Sequence, residues 1–197
     1  ELSLSQETFR GIFDRIGQAL FIQDIDGRFI DINSGAEQLF GYSRSELIGQ
    51  THAFLHEQGL TDLPAIKQLM ACAASGTPQV FESIVRSNPG RIFPIEVRLH
   101  ATQYFGQNAL IAAIVDISER KNAALRLEIE HDLAQALAAG LQRDEVMQAL
   151  LKATLRFPDI SAGGVYWRRP DGAYQLVVHA GLSAGYVENN AVLAADS

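Results

Sequence analysis

Leu20-Phe-Ile-Gln-Asp-Ile-Asp-Gly-Arg-Phe-Ile-Asp-Ile-Asn33 is the stretch that decides the fold. Two runs of β-favouring residues, Leu20 to Gln23 and Phe29 to Ile32, flank Asp24-Ile-Asp-Gly27. An Asp-Gly pair between such runs marks a hairpin, because glycine takes positive φ at little cost. Asn33 or Ser34 then offers a side-chain oxygen to the free N–H groups of a helix start. Ala36, Leu39 and Phe40 give that helix a short apolar face, and Gly41 stands where a left-handed stop belongs. Ser43 with Glu46 three residues on has the spacing of a capping box, and Gly49 ends this second short helix.

The pattern extends in both directions. Upstream, Phe9, Ile12, Phe13 and Ile16 form one stripe, which predicts an amphipathic helix over 6–18. Downstream, Leu63, Ile66, Leu69 and Met70 predict a helix that runs to about Ser75. Three strands follow, Gln79 to Arg86, Ile92 to Ala101 and Ala109 to Ile117, with turns at Asn88-Pro-Gly90 and Gly106-Gln-Asn108. In the middle strand Ile95, Val97 and Leu99 alternate with Glu96, Arg98 and His100, as a half-buried strand must. Pro94 lacks an N–H and belongs at an edge or irregularity. The order predicts an α+β fold, a five-stranded antiparallel sheet with helices on one face.

From Ser118 the character changes. Residues 118 to 139 contain no glycine or proline. Leu125, Ile129, Leu133 and Leu137 line one face, which invites pairing with a second copy as a parallel coil. Gly140 ends that helix, and Val146, Leu150, Leu151 and Leu155 predict another over Arg143 to Phe157. Strands at Gly164 to Arg168 and Tyr174 to Ala180 flank the turn Arg169-Pro-Asp-Gly172. Two strands do not bury a core, so this second domain is expected to be truncated.

Composition narrows the function classes. The 197 residues are 47% hydrophobic and 20% charged, with a net charge of −7. That is globular composition without a basic patch, which disfavours nucleic-acid binding. Ala109 to Val115 is the longest apolar run and is too short to span a bilayer, so no membrane contact is expected from this segment. The single cysteine, Cys72, forms no intrachain disulfide and fits a cytoplasmic setting; it is expected as a small buried residue on its helix. The chain opens on Glu1 rather than methionine, so sequence is expected upstream and could carry a membrane tether.

Several of these motifs together resemble a known family. Ile25 to Asn33, Ala36-Glu-Gln-Leu-Phe-Gly-Tyr-Ser43 and Glu46-Leu-Ile-Gly49 resemble the first half of a PAS domain. Phe93-Pro-Ile-Glu-Val97 resembles its penultimate strand, and Asp116-Ile-Ser-Glu-Arg-Lys121 is similar to the signature that closes PAS domains. Gly163-Gly-Val-Tyr-Trp167 and Val178-His-Ala-Gly-Leu-Ser183 resemble, more loosely, the amino-terminal third of a GAF domain. The resemblance implies an N-terminal helix over 1–18, a PAS domain over 19–117, a connector helix over 118–139 and a partial GAF α/β unit over 140–197. In sensor histidine kinases and cyclic-di-GMP proteins such modules sense and relay, and catalysis lies elsewhere. No catalytic residue is therefore expected here.

A PAS ligand pocket is expected between sheet and helices, lined by Leu20, Ile22, Ile30, Ile32, Phe40, Leu55, Leu63, Ile66, Met70, Phe81, Ile95, Val97 and Ile114. A plain core requires the same apolar residues at the same periods. Haem needs an axial ligand. His52 and His56 fall in a loop, His100 has outward parity, and no histidine lies on the Leu63 to Met70 helix, where haem-binding relatives carry it. The Asn-Cys-Arg-Phe-Leu-Gln signature of flavin–cysteine photoreceptors is missing, and non-covalent flavin has no supporting residue. No cofactor or metal is firmly indicated. A signal junction is expected at Asp116, Ser118 and Arg120, where Asp116 and Arg120 are spaced for a local ion pair. Phe9 and Phe13 are expected to cover sheet surface or to join a homodimer with Leu125, Ile129 and Leu133. His131 superficially resembles a kinase phosphoacceptor; the competing reading is a polar-face residue of the helix.

Overall fold

Asp24 organises the first turn: its Oδ1 accepts the N–H groups of Asp26 (3.0 Å) and Arg28 (2.8 Å). The turn joins β1 (Ala19–Gln23) to β2 (Phe29–Ile32) as an antiparallel pair. The computed structural model describes residues 2–57, 59–138, 142–157 and 160–194. The chain divides into two units, Glu1–Lys121 and Asn122–Ser197.

In the first unit β2 leads into α2 (Ser34–Phe40), capped by Asn33 and stopped by Gly41 at φ +70°. Then come α3 (Arg44–Leu47), with the expected Ser43–Glu46 capping box, and a 3-10 turn, His52–Leu55. Ser43 holds the Glu46 carboxyl below its usual range through these hydrogen bonds. Helix α4 (Leu63–Ala74) starts at Asp62, whose carboxylate accepts the Ala65 N–H. Strands β3 (Gln79–Arg86), β4 (Ile92–Tyr104) and β5 (Gln107–Asp116) complete a sheet of order β2-β1-β5-β4-β3. The expected five-stranded sheet is present, and β4 runs three residues beyond its sequence-predicted end at Ala101.

The inner face carries the main core. Phe21 packs on Phe29 (ring centroids 4.8 Å) and edge-on against Phe40 (5.4 Å), which meets Phe93 (5.9 Å). Aromatic pairs of this kind add about 1 kcal/mol each beyond area burial. The outer face is also covered. Helix α1 (Leu2–Arg15) buries Phe13 in a cluster with Leu20, Ile22 and Ala109, and Phe9, Ile30 and Tyr104 pack around it. Of the predicted stripe, Ile12 (61% exposed) and Ile16 stay largely in solvent. Of the two roles open to Phe13, covering the sheet is the one seen. Cys72 is exposed, not buried: α4 points Ile66, Met70 and Ala73 inward, and Cys72 falls on the opposite side of that helix.

In the second unit α6 (Arg143–Thr154) packs on β6 (Gly163–Arg168) and β7 (Tyr174–Ala180), joined by the predicted Arg169–Gly172 turn. Helix α7 (Ala184–Asn189) and β8 (Val192–Leu193) follow, and the sheet order is β6-β7-β8. Helix α5 (Ser118–Ala138) is continuous across the boundary between the units.

Candidate functional site

A cavity of about 40 Å³ lies between the inner sheet face and the helices of the first unit. Its walls are almost wholly apolar: Phe21, Phe29, Phe40, Ile66, Met70 and Ile95 are among them. Three polar side chains face it, Gln23, His52 and His56. His56 Nδ1 lies 3.1 Å from the Ser83 hydroxyl. His52 Nδ1 is buried without a hydrogen-bond partner. Gly27, at φ +83°, lets this imidazole in: a Cβ there would stand 2.6 Å from His52 Nδ1 and 2.8 Å from Met70 Cε. Burial pushes His56 down to about 4, helped by its neighbour His52, and burial also lowers His52. Both imidazoles are therefore neutral near pH 7.

The predicted lining divides by strand parity. Phe40, Leu55, Ile66, Met70, Phe81, Ile95, Val97 and Ile114 do face the cavity. Leu20, Ile22 and Ile30 do not: they sit on the outer face against α1. Their neighbours Phe21, Gln23 and Phe29 take the inner positions. Successive strand residues point to opposite faces, and the continuous burial of β1 hides which parity is inward. Ile32 belongs to the core but not to the cavity wall. Leu63, in the first turn of α4, is exposed. His52 and His56, read as loop residues, belong to the cavity because the 3-10 turn folds back against β3, where His56 bridges Val85.

The junction at the end of β5 is built from charge. Asp116 accepts the Ser118 N–H (2.8 Å) and pairs with Arg91 (2.7 Å), whose guanidinium also stacks on the Phe93 ring at 4.5 Å. Burial opposes ionisation of Asp116, but the Ser118 and Arg91 hydrogen bonds outweigh it and hold the carboxyl below its usual range. The expected Asp116–Arg120 pair is replaced. Arg120 reaches Glu96 (3.1 Å) and Glu82 (3.3 Å), and Lys121 reaches Glu82 (2.6 Å). Strand-to-helix geometry turns Arg120 toward β3 and β4, whose acidic residues no local spacing rule could supply. Ala112, Ile114 and Asp116 share one face of β5, so the cavity wall and the junction are neighbours along one strand.

A second polar network joins α1 to the sheet. Asn33 is fully buried; its Oδ1 accepts from Leu20 (2.9 Å) and Ala36 (3.0 Å). Its amide shares two protons among the carbonyls of Phe13 (3.0 Å), Ile16 (3.0 Å) and Gln18 (2.9 Å). Asp31, also fully buried, pairs with Arg10 (3.0 Å) and Arg44 (2.7 Å) and accepts the Tyr104 hydroxyl. Burial, and then that hydrogen bond to Asp31, push the Tyr104 phenol up to about 12. The sequence signal was an acidic residue placed between apolar strand positions.

On α5, Leu125, Ile129 and Leu133 are half-buried, and the side chain of Leu137 lies outside the described residues. Arg156 ties this stretch within the second unit, pairing with Glu128 (2.6 Å) and Asp132 (3.2 Å). His131 is exposed, with Nε2 2.8 Å from the Gln135 amide. Among the described residues no group of three or more metal-ligating side chains gathers, and no helix is long and apolar enough to cross a membrane.

A five-stranded antiparallel sheet whose helices close a small cavity, with a charged strand-to-helix exit, defines the class as an α+β domain with an enclosed inner pocket. A family model described as the PAS fold matches residues 13–122, more than half of the chain, and the chain belongs to that family. It is 26% identical over 157 residues to the methyl sulfide methyltransferase-associated sensor of Methanosarcina acetivorans. That match covers 79% of this chain but only 15% of the relative. The PAS domain of an HTR-like protein from Haloarcula marismortui superposes with a TM-score of 0.52 at 19% identity, over 59% of this chain and 94% of that one. A LOV protein of Rhodobacter sphaeroides gives 0.52 at 16% identity, over 77% and 90%. At these identities the structural likenesses speak for the fold.

Proposed function

We propose that this chain is the sensing and relaying part of a signalling protein. A small ligand or a partner biases the first unit, and β5 passes the change through Asp116, Ser118 and Arg120 into α5. The observation that carries the reading is the shared strand. Ala112 and Ile114 line the cavity, and Asp116 anchors the junction two residues on. The likeness to a sensor protein points the same way. A bistable element biased by a few kcal/mol suffices for such a relay.

In this reading α5 pairs with a second copy through Leu125, Ile129 and Leu133. The helix–sheet unit after it corresponds to the start of a GAF domain. The segment is cytoplasmic and catalyses nothing itself; a kinase or a cyclic-di-GMP enzyme supplies the output elsewhere in the protein. A cavity of about 40 Å³ favours a small ligand over haem or flavin, since sites for drug-sized ligands enclose roughly 300 Å³ or more.

Sedimentation equilibrium tests the relay. Ala112→Val adds bulk to the cavity wall and is expected to shift the monomer–dimer constant severalfold. An unchanged constant, or a chain that stays monomeric at high micromolar concentration, counts against the proposal.

A further inference from the structure

The cavity presents one buried polar atom with nothing to bind and a second polar side chain on its wall. His52 Nδ1 is buried and unpartnered. Gln23 is 4% exposed and faces the same space. Buried polar groups are satisfied in the great majority of cases, and an unpaired one costs about 1–3 kcal/mol. An orphaned imidazole nitrogen and a glutamine amide on one cavity describe a site awaiting an occupant. Gln23 offers both a donor and an acceptor, and His52 Nδ1 offers one or the other according to tautomer.

The walls decide the charge of that occupant. No Asp, Glu, Lys or Arg lines the cavity; the remaining lining is Phe, Leu, Ile, Val, Met and Ala, with His56 already engaged by Ser83. An ion there would lose its hydration with no counter-charge in reach. The volume, about 40 Å³, holds roughly three water-sized centres and so limits the occupant to a few heavy atoms.

We infer that the cavity binds a small uncharged molecule of primary-amide type, hydrogen-bonded to His52 and Gln23 with its apolar end against Met70 and Phe29. The inference rests on the sensory reading of the same cavity and names the ligand class that reading leaves open. The outward strand neighbours of Gln23 play no part, because Ile22 lies on the other sheet face.

The test is a titration of the whole chain, followed by NMR of the histidine rings and the glutamine side-chain amides, with acetamide, acetate and xenon as probes. Acetamide is expected to shift the His52 and Gln23 signals saturably, and acetate is expected to leave them unmoved. Gln23→Leu and His52→Leu should each weaken acetamide about tenfold, the loss of one good hydrogen bond. Xenon should still enter both variants, showing that fold and cavity persist. Xenon entering without any acetamide response overturns the inference, as does an acetamide response that survives both substitutions. Acetate binding more tightly than acetamide overturns the uncharged class. All three results leave the relay reading standing, because the Ala112→Val sedimentation shift is independent of which molecule fits.

Discussion

The two units use the same materials to different effect. In the first, a five-stranded sheet is covered on both faces, and polar side chains as deep as Asp31 and Asn33 are fully bonded. In the second, no residue of β6, β7 or β8 is buried; among the described residues its buried side chains are Leu151 and Ala153 on α6. Trp167 is 42% exposed, and Tyr174, Val177 and Val192 are also largely open. A sheet gains stability from the surface it removes from water, so one well-covered on both faces should hold together where a half-covered one yields. The difference puts the enclosed cavity in the better-covered unit.

The comparison can be broken most forcefully at Asn33. Asn33→Ala orphans the buried N–H of Leu20 and the carbonyls of the α1 exit, and should cost the first unit about 4 kcal/mol. Urea unfolding followed by circular dichroism reads the loss. Trp167, the only tryptophan, reports the second unit by fluorescence, and its midpoint should stay put. Equal movement of both midpoints would join the two units into one cooperative block.

Phe13→Ala should cost about 3 kcal/mol by emptying the outer-face cluster, within the range for large core truncations. The constant of the proposed α5 dimer at matched folded concentration should not change, because Phe13 covers its own sheet. A lost dimer with unchanged stability would return Phe13 to an interface.

Acidity separates the units next. His56 titrates near 6.5 in an unfolded chain and about 4 in the fold. Its contribution is therefore present above 6.5 and is lost as the pH falls through that window toward 4, on the order of 3 kcal/mol in all. His56→Gln should flatten this part of the stability profile. A wild-type profile that is level between pH 6.5 and 4 would contradict the burial of this imidazole.

The smallest effect is expected at Leu127, which is 67% exposed on α5. Leu127→Gln should change stability by less than about 0.5 kcal/mol. Calorimetry showing a larger drop would reveal cover on that side of the helix.

Much of the first unit was legible in the sequence because local rules specified it. Asp24–Gly27, the Ser43–Glu46 box and Gly41 each state a turn or a cap in a few residues. The site was legible only by half. Leu20, Phe21 and Ile22 are apolar on both parities and the one polar mark, Gln23, lies on the inner side, so period-2 reasoning pointed to the wrong inner face. The Arg91–Asp116 and Arg120–Glu96 pairs join residues distant in sequence and follow from topology, not spacing. His52 reached the cavity through a 3-10 turn, an element without a periodic signature.

The relay through β5 is the central claim, and amide hydrogen exchange at Ser118 to Lys121 tests it most directly. Filling the cavity with Ala112→Val should change exchange in this first turn of α5 severalfold, and Arg120→Ala, which removes the ties to Glu96 and Glu82, should abolish the response. Exchange at the turn that ignores the cavity, while the strands around Ala112 respond, would contradict the account.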